Sequence, residues 1–470
     1  MTKSTPAPAP GNSPQNGGGA TKPLPRSFIG QVGMRFAGQW GARVGLAWVV
    51  TLVLLAVFAP LLASSHPFVW KADGEVSSPW LEHLTAVDAV LLLSFATAMV
   101  LLIFRRVSVG ARLAAWAWLT SLLAAVAATR SAQQLLESQA DDGPGLVFVL
   151  VVLMLIGLGA ILVVLPIASA AGGRAKLTVG LVGLLIGGGF WFADVSPPAN
   201  VVYSQYREAA AAERVDWMVL PPLAYSPNDY QRDAMSATGV DPRLLPPTLT
   251  HPMGTDEGGA DVLSRMIHAT RIALAIGLIA TGIAVALGIL IGGLMGYFAG
   301  WVDLIGMRLV EIFSAIPVIF LLIMIVAFYG RNLYLMMVII GVTGWVGYAI
   351  FIRAEFLKLR RMDYVQAAHA CGTPLWSILF KHMLPNGVTP VLVLASFGIA
   401  SAILTESTLS FLGLGLVEEP SWGQLLNQAR RAGDQWGLTW FPGLAIFLTV
   451  FAYNLVGEAM RDALDPRSAD

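Results

Sequence analysis

Tyr364-Val-Gln-Ala-Ala-His-Ala-Cys-Gly-Thr-Pro374 and, shortly after it, Lys381-His-Met-Leu-Pro-Asn386 form a polar stretch between two strongly apolar ones. The pattern reads as a short helix, a turn and a second short helix. Val365, Ala368 and Cys371 recur at three-residue spacing on one face, and Ala367 keeps the opposite side slim enough to enter a groove. Gly372 is expected to allow a tight helix end that a Cβ would crowd. Pro374 follows where the helix has already stopped, and Pro385 marks the approach to the next apolar stretch. A polar loop between two membrane crossings must meet something in the aqueous compartment.

Working outward, 56% of residues are hydrophobic and only 12% charged, against about 25% charged in ordinary soluble domains, and the mean hydropathy is +0.69. Most of the chain therefore belongs in lipid. A helical span needs roughly 20 mainly apolar residues, and helices satisfy every backbone group within their own segment. Ten stretches qualify: about 44–63, 84–104, 111–129, 145–170, 175–194, 268–299, 303–329, 332–353, 387–413 and 440–460. Orientation follows Lys and Arg in the short loops. Arg26, Arg35 and Arg43 precede the first span, Arg105, Arg106 and Arg112 follow the second, Arg174 and Lys176 follow the fourth, and Arg353, Lys358, Arg360, Arg361 and Lys381 follow the eighth. Those loops and both termini are expected in the cytoplasm.

Residues 1–25 hold almost no large apolar side chain and read as a disordered tail within a cytoplasmic segment 1–43. They also lack the basic start and early apolar core of a cleavable signal peptide. A net charge of zero excludes a generally basic surface for nucleic acid. Cys371 is the single cysteine, so no internal disulfide exists, and His369 and His382 have no companion at metal-ligand spacing. The Pro-rich segment 195–267 is expected outside, irregular apart from a short helix within about 204–218.

Near its end stands His251-Pro-Met-Gly-Thr-Asp-Glu-Gly-Gly-Ala-Asp-Val-Leu-Ser-Arg265. It resembles the external signature of oligopeptide and dipeptide importer permeases, carried here by Gly254, Thr255, Asp256, Asp261 and Arg265. The stretch Gln366-Ala-Ala-His-Ala-Cys-Gly372 with Leu384-Pro385 resembles the loop by which bacterial ABC-importer permeases grip their ATPases, a motif that begins Glu-Ala-Ala. Gly296-Tyr-Phe-Ala-Gly-Trp-Val-Asp303, Met307-Arg-Leu-Val-Glu311, Leu409-Ser-Phe-Leu-Gly-Leu-Gly415, Pro420-Ser-Trp-Gly423, Phe441-Pro-Gly443 and Arg461-Asp-Ala-Leu-Asp-Pro-Arg467 continue the likeness over about 220 residues. Two positions depart from the family pattern: Ala260 stands at a common Arg, and Gln366 at the usual Glu.

The resemblance implies an all-α polytopic membrane protein. Its permease core comprises five C-terminal spans and an N-terminal span, with an inserted four-helix bundle at 84–194. The core runs over 268–470 with a coupling loop at 354–386. The resemblance also implies a transport subunit importing peptides, with two ATPase subunits, a second related permease and an external substrate-binding protein as partners. Coupling falls to Tyr364, Gln366, Ala367, Ala368, His369, Gly372, Leu384 and Pro385. No cofactor is expected in this chain: it has no G-x-x-x-x-G-K-[ST] loop, so ATP and Mg belong to the partners.

Glu311 and Glu406 lie inside spans, where a charge is costly and usually faces protein or water. With Pro317 as a hinge point, they are candidates for the translocation path, and helix-to-helix hydrogen bonding is the equal alternative for both acids. Glu418, Glu419 and Trp422 are expected in an external loop offered to a partner. A membrane enzyme or sensor using His251, Asp256 and Asp261 is a rival reading, against which stands the absence of a nucleophile with an adjacent base. A lone secondary transporter would be expected to show internal repeats, and none is visible. Nickel chelates, sugars or export remain alternative cargoes or directions.

Overall fold

The computed structural model describes residues 28–72, 74–103, 201–235, 239–416, 419–433 and 435–464, with the single positions 112, 116 and 120. Among the described residues six helices are long and apolar enough to cross a membrane: Trp40–Leu62, Ala86–Ile103, Val262–Phe298, Leu333–Leu359, Thr389–Phe411 and Trp436–Leu464. Between the third and fourth of these, Gly300–Ser314 and Val318–Tyr329 form a pair bent by 71°. The expected span 303–329 is thus bent, and the bend falls at Pro317, its expected hinge point. Pro317, with no N–H to donate, caps the second half. The tail 1–25 and the expected spans 145–170 and 175–194 lie outside the described residues, as does nearly all of 111–129.

The axis of the bundle is Val262–Phe298, which begins before the expected 268 because Asp261 caps it, its carboxylate accepting from the Ser264 N–H. At 37 residues it is about 55 Å long at 1.5 Å per residue, well over the hydrocarbon thickness. It packs along Leu333–Leu359 through Gly288, Gly292 and Gly296, spaced four apart on one face. A Cβ on Gly292 would stand 2.3 Å from the Ala349 carbonyl oxygen, and one on Gly288 2.4 Å from the Tyr348 Cβ. Small residues at this spacing let two helix backbones touch, which in lipid replaces the missing hydrophobic drive. The first span lies against Trp436–Leu464, with Trp48 Nε1 donating to Thr449 Oγ1 at 3.1 Å.

Outside the bundle the chain is not wholly helical. Strands β1 (Val69–Ala72), β2 (Glu75–Ser77) and β3 (Val215–Val219) form an antiparallel sheet in the order β2-β1-β3. The expected helix over 204–218 covers only Gln205–Ala211, after which the Val-rich stretch enters the sheet. Arg207 bridges Asp229 and Asp233 at 2.6 and 2.8 Å, and Ser65 joins Asp229. The Pro-rich segment therefore packs on the loop that follows the first span. The pairing of β1 with β3 pins together the stretches on either side of residues 84–194.

Candidate functional site

The loop quoted first forms the helix Asp363–Ala370. Its single buried side chain is Val365, 3% exposed. Val365 and the partly buried Ala368 pack on a cluster that includes Phe356, Leu359, Ile378, Leu379 and Met383, with Leu384 also against it. The other face, Tyr364, Gln366, Ala367 and His369, is open to solvent. Cys371 is exposed rather than sharing the Val365 face.

Gly372 ends the helix at φ +71°, its N–H donating to His369 O and that of Thr373 to Ala368 O. This is a Schellman closure. A Cβ at Gly372 would meet nothing within 4 Å, so the expected crowding is absent and glycine is required by the left-handed backbone alone.

From Leu375 the chain is nearly continuous helix up to Phe411, with a π turn at Ile378–Met383. Pro385 cannot donate to the Lys381 carbonyl and its ring crowds that group, and a widened turn opens the ladder at this place. Asn386 holds the return: its Nδ2 donates to His382 O at 2.8 Å and to the Tyr364 hydroxyl at 3.4 Å. Packed and hydrogen-bonded contacts thus run from the short helix to the start of Thr389–Phe411.

At the opposite end of the long helix the external signature forms a buried polar knot. Asp256 is 0% and Arg265 1% exposed, and they form an ion pair. Asp256 also accepts from the N–H groups of Gly258 and Ala260 at 2.8 and 2.9 Å, and Arg265 reaches Gln424 Oε1 at 3.0 Å. Asp261 takes His251 Nδ1 at 2.8 Å besides capping the helix. Thr255 accepts from Leu245 N at 2.8 Å, and Gly254 lies so close to Leu245 that a Cβ would stand 2.4 Å from its carbonyl. The acids the rival enzyme reading would use are thus rigidly held, sealed from solvent and occupied by structural partners.

The candidate path residues separate. Glu311 is exposed on Gly300–Ser314 beside Arg308, and Pro317 stands at the 71° bend. Glu406 is 2% exposed and accepts from Ser410 at 2.6 Å, with Ser407 beside it, both on its own helix, so it is buried and bonded within Thr389–Phe411 rather than facing an open surface. Trp422 is likewise 2% exposed. It opens the amphipathic helix Trp422–Ala432 and packs in the core, so the expectation that it is offered outward is corrected.

Two further ion pairs join helices. Arg353 grips Asp303, one contact at 2.6 Å, fastening the bent pair to Leu333–Leu359. Asp88 is 6% exposed and pairs with Arg271, which also donates to Ala56 O at 2.6 Å. The helix Ala86–Ile103 is thereby tied to Val262–Phe298. Only a lone acid near the start of an apolar run hinted at it.

The model of the family described as binding-protein-dependent transport system inner membrane component matches residues 288–470. The model described as the N-terminal TM domain of oligopeptide transport permease C matches residues 27–76. The glutathione transport system permease protein GsiD of Pectobacterium atrosepticum is 39% identical over 225 residues, 47% of this chain and 74% of the relative. The oligopeptide transport system permease protein OppC of Haemophilus influenzae is 39% identical over 221 residues, 46% and 70% respectively. The dipeptide transport system permease protein DppC of Bacillus subtilis is 37% identical over 227 residues, 47% and 71%. A chain of the MetNI methionine ABC transporter, solved in inward-facing conformations, aligns with TM-score 0.37 and 18% identity over 43% of this chain and 97% of that one.

Proposed function

The chain belongs to the family of inner membrane components of binding-protein-dependent transport systems, and from that premise we propose that it forms half of the path by which an ATP-driven importer takes up peptides. It is a multi-pass permease component of an ABC importer. The observation that carries the reading is the short helix Asp363–Ala370, held by Val365 and presenting Tyr364, Gln366, Ala367 and His369 outward. It lies at the Phe298 end of the long helix, where Arg360 donates to Tyr297 O at 3.0 Å, about 55 Å from the buried external knot.

In this reading an ATPase subunit receives the exposed face, with Tyr364 at its edge and Ala367 allowing close approach. The Schellman closure at Gly372 and the contacts of Leu384 pass the motion to Thr389–Phe411, while Pro385 sets the widened turn. Two ATPase subunits bind and hydrolyse ATP with Mg, a second related permease completes the path, and an external binding protein delivers the cargo to the capped face. Both termini are cytoplasmic. Glu311, exposed on the segment that bends at Pro317, faces the path. The peptide class is supported by relatives named for oligopeptide, dipeptide and glutathione transport.

The single native cysteine provides the test. Cys371 is exposed one residue beyond the coupling helix. In the complex reconstituted with its ATPases, second permease and binding protein, a short bifunctional maleimide should join Cys371 to a cysteine introduced along the ATPase groove, and loaded binding protein should stimulate hydrolysis when the ligand is a peptide. Absence of the cross-link in an assembled complex rejects the coupling assignment. Stimulation by a nickel chelate or sugar alone rejects the peptide class.

A further inference from the structure

Between the last turns of Val262–Phe298 and the segment after the coupling helix lies a shallow groove lined by Leu290, Gly293, Leu294, Phe356, Trp376 and Phe380 among others. Its walls are apolar throughout. Gly293 forms part of the floor: a Cβ there would stand 3.1 Å from the Phe356 ring. Trp376, 65% exposed, stacks on Phe380 with ring centroids 5.0 Å apart and forms the lip. Leu290 is 44% exposed, so the groove opens outward from the bundle.

Depth and charge identify the occupant. Leu290 to Leu294 lie about 40–50 Å along the helix from its external cap, at the far edge of a hydrocarbon layer roughly 30 Å thick that begins beyond the Arg271 ion pair. Immediately past the groove the charges are basic. Lys381 follows Phe380 directly, is exposed, and makes no ion pair among the described residues. Arg360 stands one turn beyond Phe356 with its guanidinium on Tyr297 O. The acids of the neighbouring helices are engaged: Glu355 faces Lys358 at 3.8 Å and Asp303 is held by Arg353. Asp363 lies in the first turn of the coupling helix. An apolar slot at this depth with a cationic mouth fits an acyl chain whose anionic headgroup sits at the membrane surface.

We propose that this groove is a binding site for an anionic phospholipid, its acyl chain between Leu290 and Trp376 and its headgroup against Lys381. The site abuts the packing of the coupling lever, because Phe356, Leu379 and Leu384 belong both to the groove and to the cluster that receives Val365. A bound chain would brace the lever.

The test uses the full-length chain in nanodiscs made symmetric in both leaflets, so it depends neither on orientation nor on the identity of the cargo. Quenching by brominated phosphatidylglycerol and by brominated phosphatidylcholine is compared, and the Trp376 contribution is isolated by subtracting Trp376→Phe. Half-quenching of Trp376 is expected at roughly five-fold lower mole fraction of the anionic lipid, the scale set by one basic residue near the surface. Lys381→Glu should abolish the preference, and Leu290→Phe, which fills the slot at an exposed position, should weaken quenching by both lipids. Equal quenching by the two lipids in the wild-type protein would mean unselective annular lipid only. No quenching by either would mean that protein covers the groove. Either result overturns the proposal.

Discussion

Replacing Gly372 separates two physical reasons for a glycine at the end of the coupling helix. Its φ of +71° costs an L-residue about 1–2 kcal/mol, whereas the space around it is empty to 4 Å. The helix it closes is anchored by Val365, whose burial contributes roughly 1.5–3 kcal/mol. The strain is thus comparable with the whole docking energy of the lever and small against the packing of the bundle. Gly372→Ala and Gly372→Trp should therefore leave the thermal midpoint of the purified protein nearly unchanged and equal to each other. Both should reduce cargo-stimulated ATP hydrolysis by roughly 5- to 30-fold, the factor that 1–2 kcal/mol implies. Gly372→Asn, which tolerates the left-handed region, should lose less. If the proposed ATPase contact holds, Gly372→Trp alone should also weaken ATPase association, because its bulk would enter space that is open in this chain. A midpoint that falls with side-chain volume would show that the site is crowded after all. Full coupled hydrolysis in Gly372→Ala would refute the left-handed closure as the requirement.

Three further outcomes follow from named contacts. Arg265→Met leaves Asp256 buried without a counter-charge and should cost about 3–5 kcal/mol, seen as a lower thermal midpoint, while adding Asp256→Asn should restore part of it. Gly292→Ala should destabilise by at least 1–3 kcal/mol through overpacking, because its Cβ meets the Ala349 carbonyl. Gly282→Ala, in open space, should be neutral or stabilising by up to about 1 kcal/mol. In the external cap, burial and then the stacked His83 at 3.8 Å push the His66 pKa down from 6.5 to about 4, against the opposing pull of Asp229. The unfolded chain therefore takes up a proton below pH 6.5 that the folded cap refuses until about pH 4. Stability should fall across that window by an amount on the order of 3 kcal/mol. Protease sensitivity of the cap should rise on acidification in the wild type and much less in His66→Gln.

What the residues determined by themselves is the solvent and the surface of each segment. Long apolar runs with Lys and Arg confined to certain loops specify a helical bundle in lipid whatever the helices touch, because an unsatisfied backbone is excluded there. The alternation of Val365 and Ala368 with Gln366 and His369 specifies one buried and one free face on a short helix, and the Gly and Pro that follow it specify where it stops. These signals are local, so they were legible.

The tertiary structure decided which polar groups are structural and which are free. Glu311 and Glu406 read alike in the sequence, yet one is exposed and the other is buried on a serine. Asp256 finds its charge partner nine residues away and, through Arg265, a third partner in Gln424. Asp88 finds Arg271 across 183 residues. The four-residue spacing of Gly288, Gly292 and Gly296 was present in the sequence, but a small-residue stripe names no partner until a second helix lies against it. Likewise β3 reads as the tail of a helix until β1 supplies its hydrogen bonds. Local propensity sets what a segment can be, and pairing over long separations selects among the options, because the free energy of a buried polar group or a close helix crossing depends on the atom opposite it.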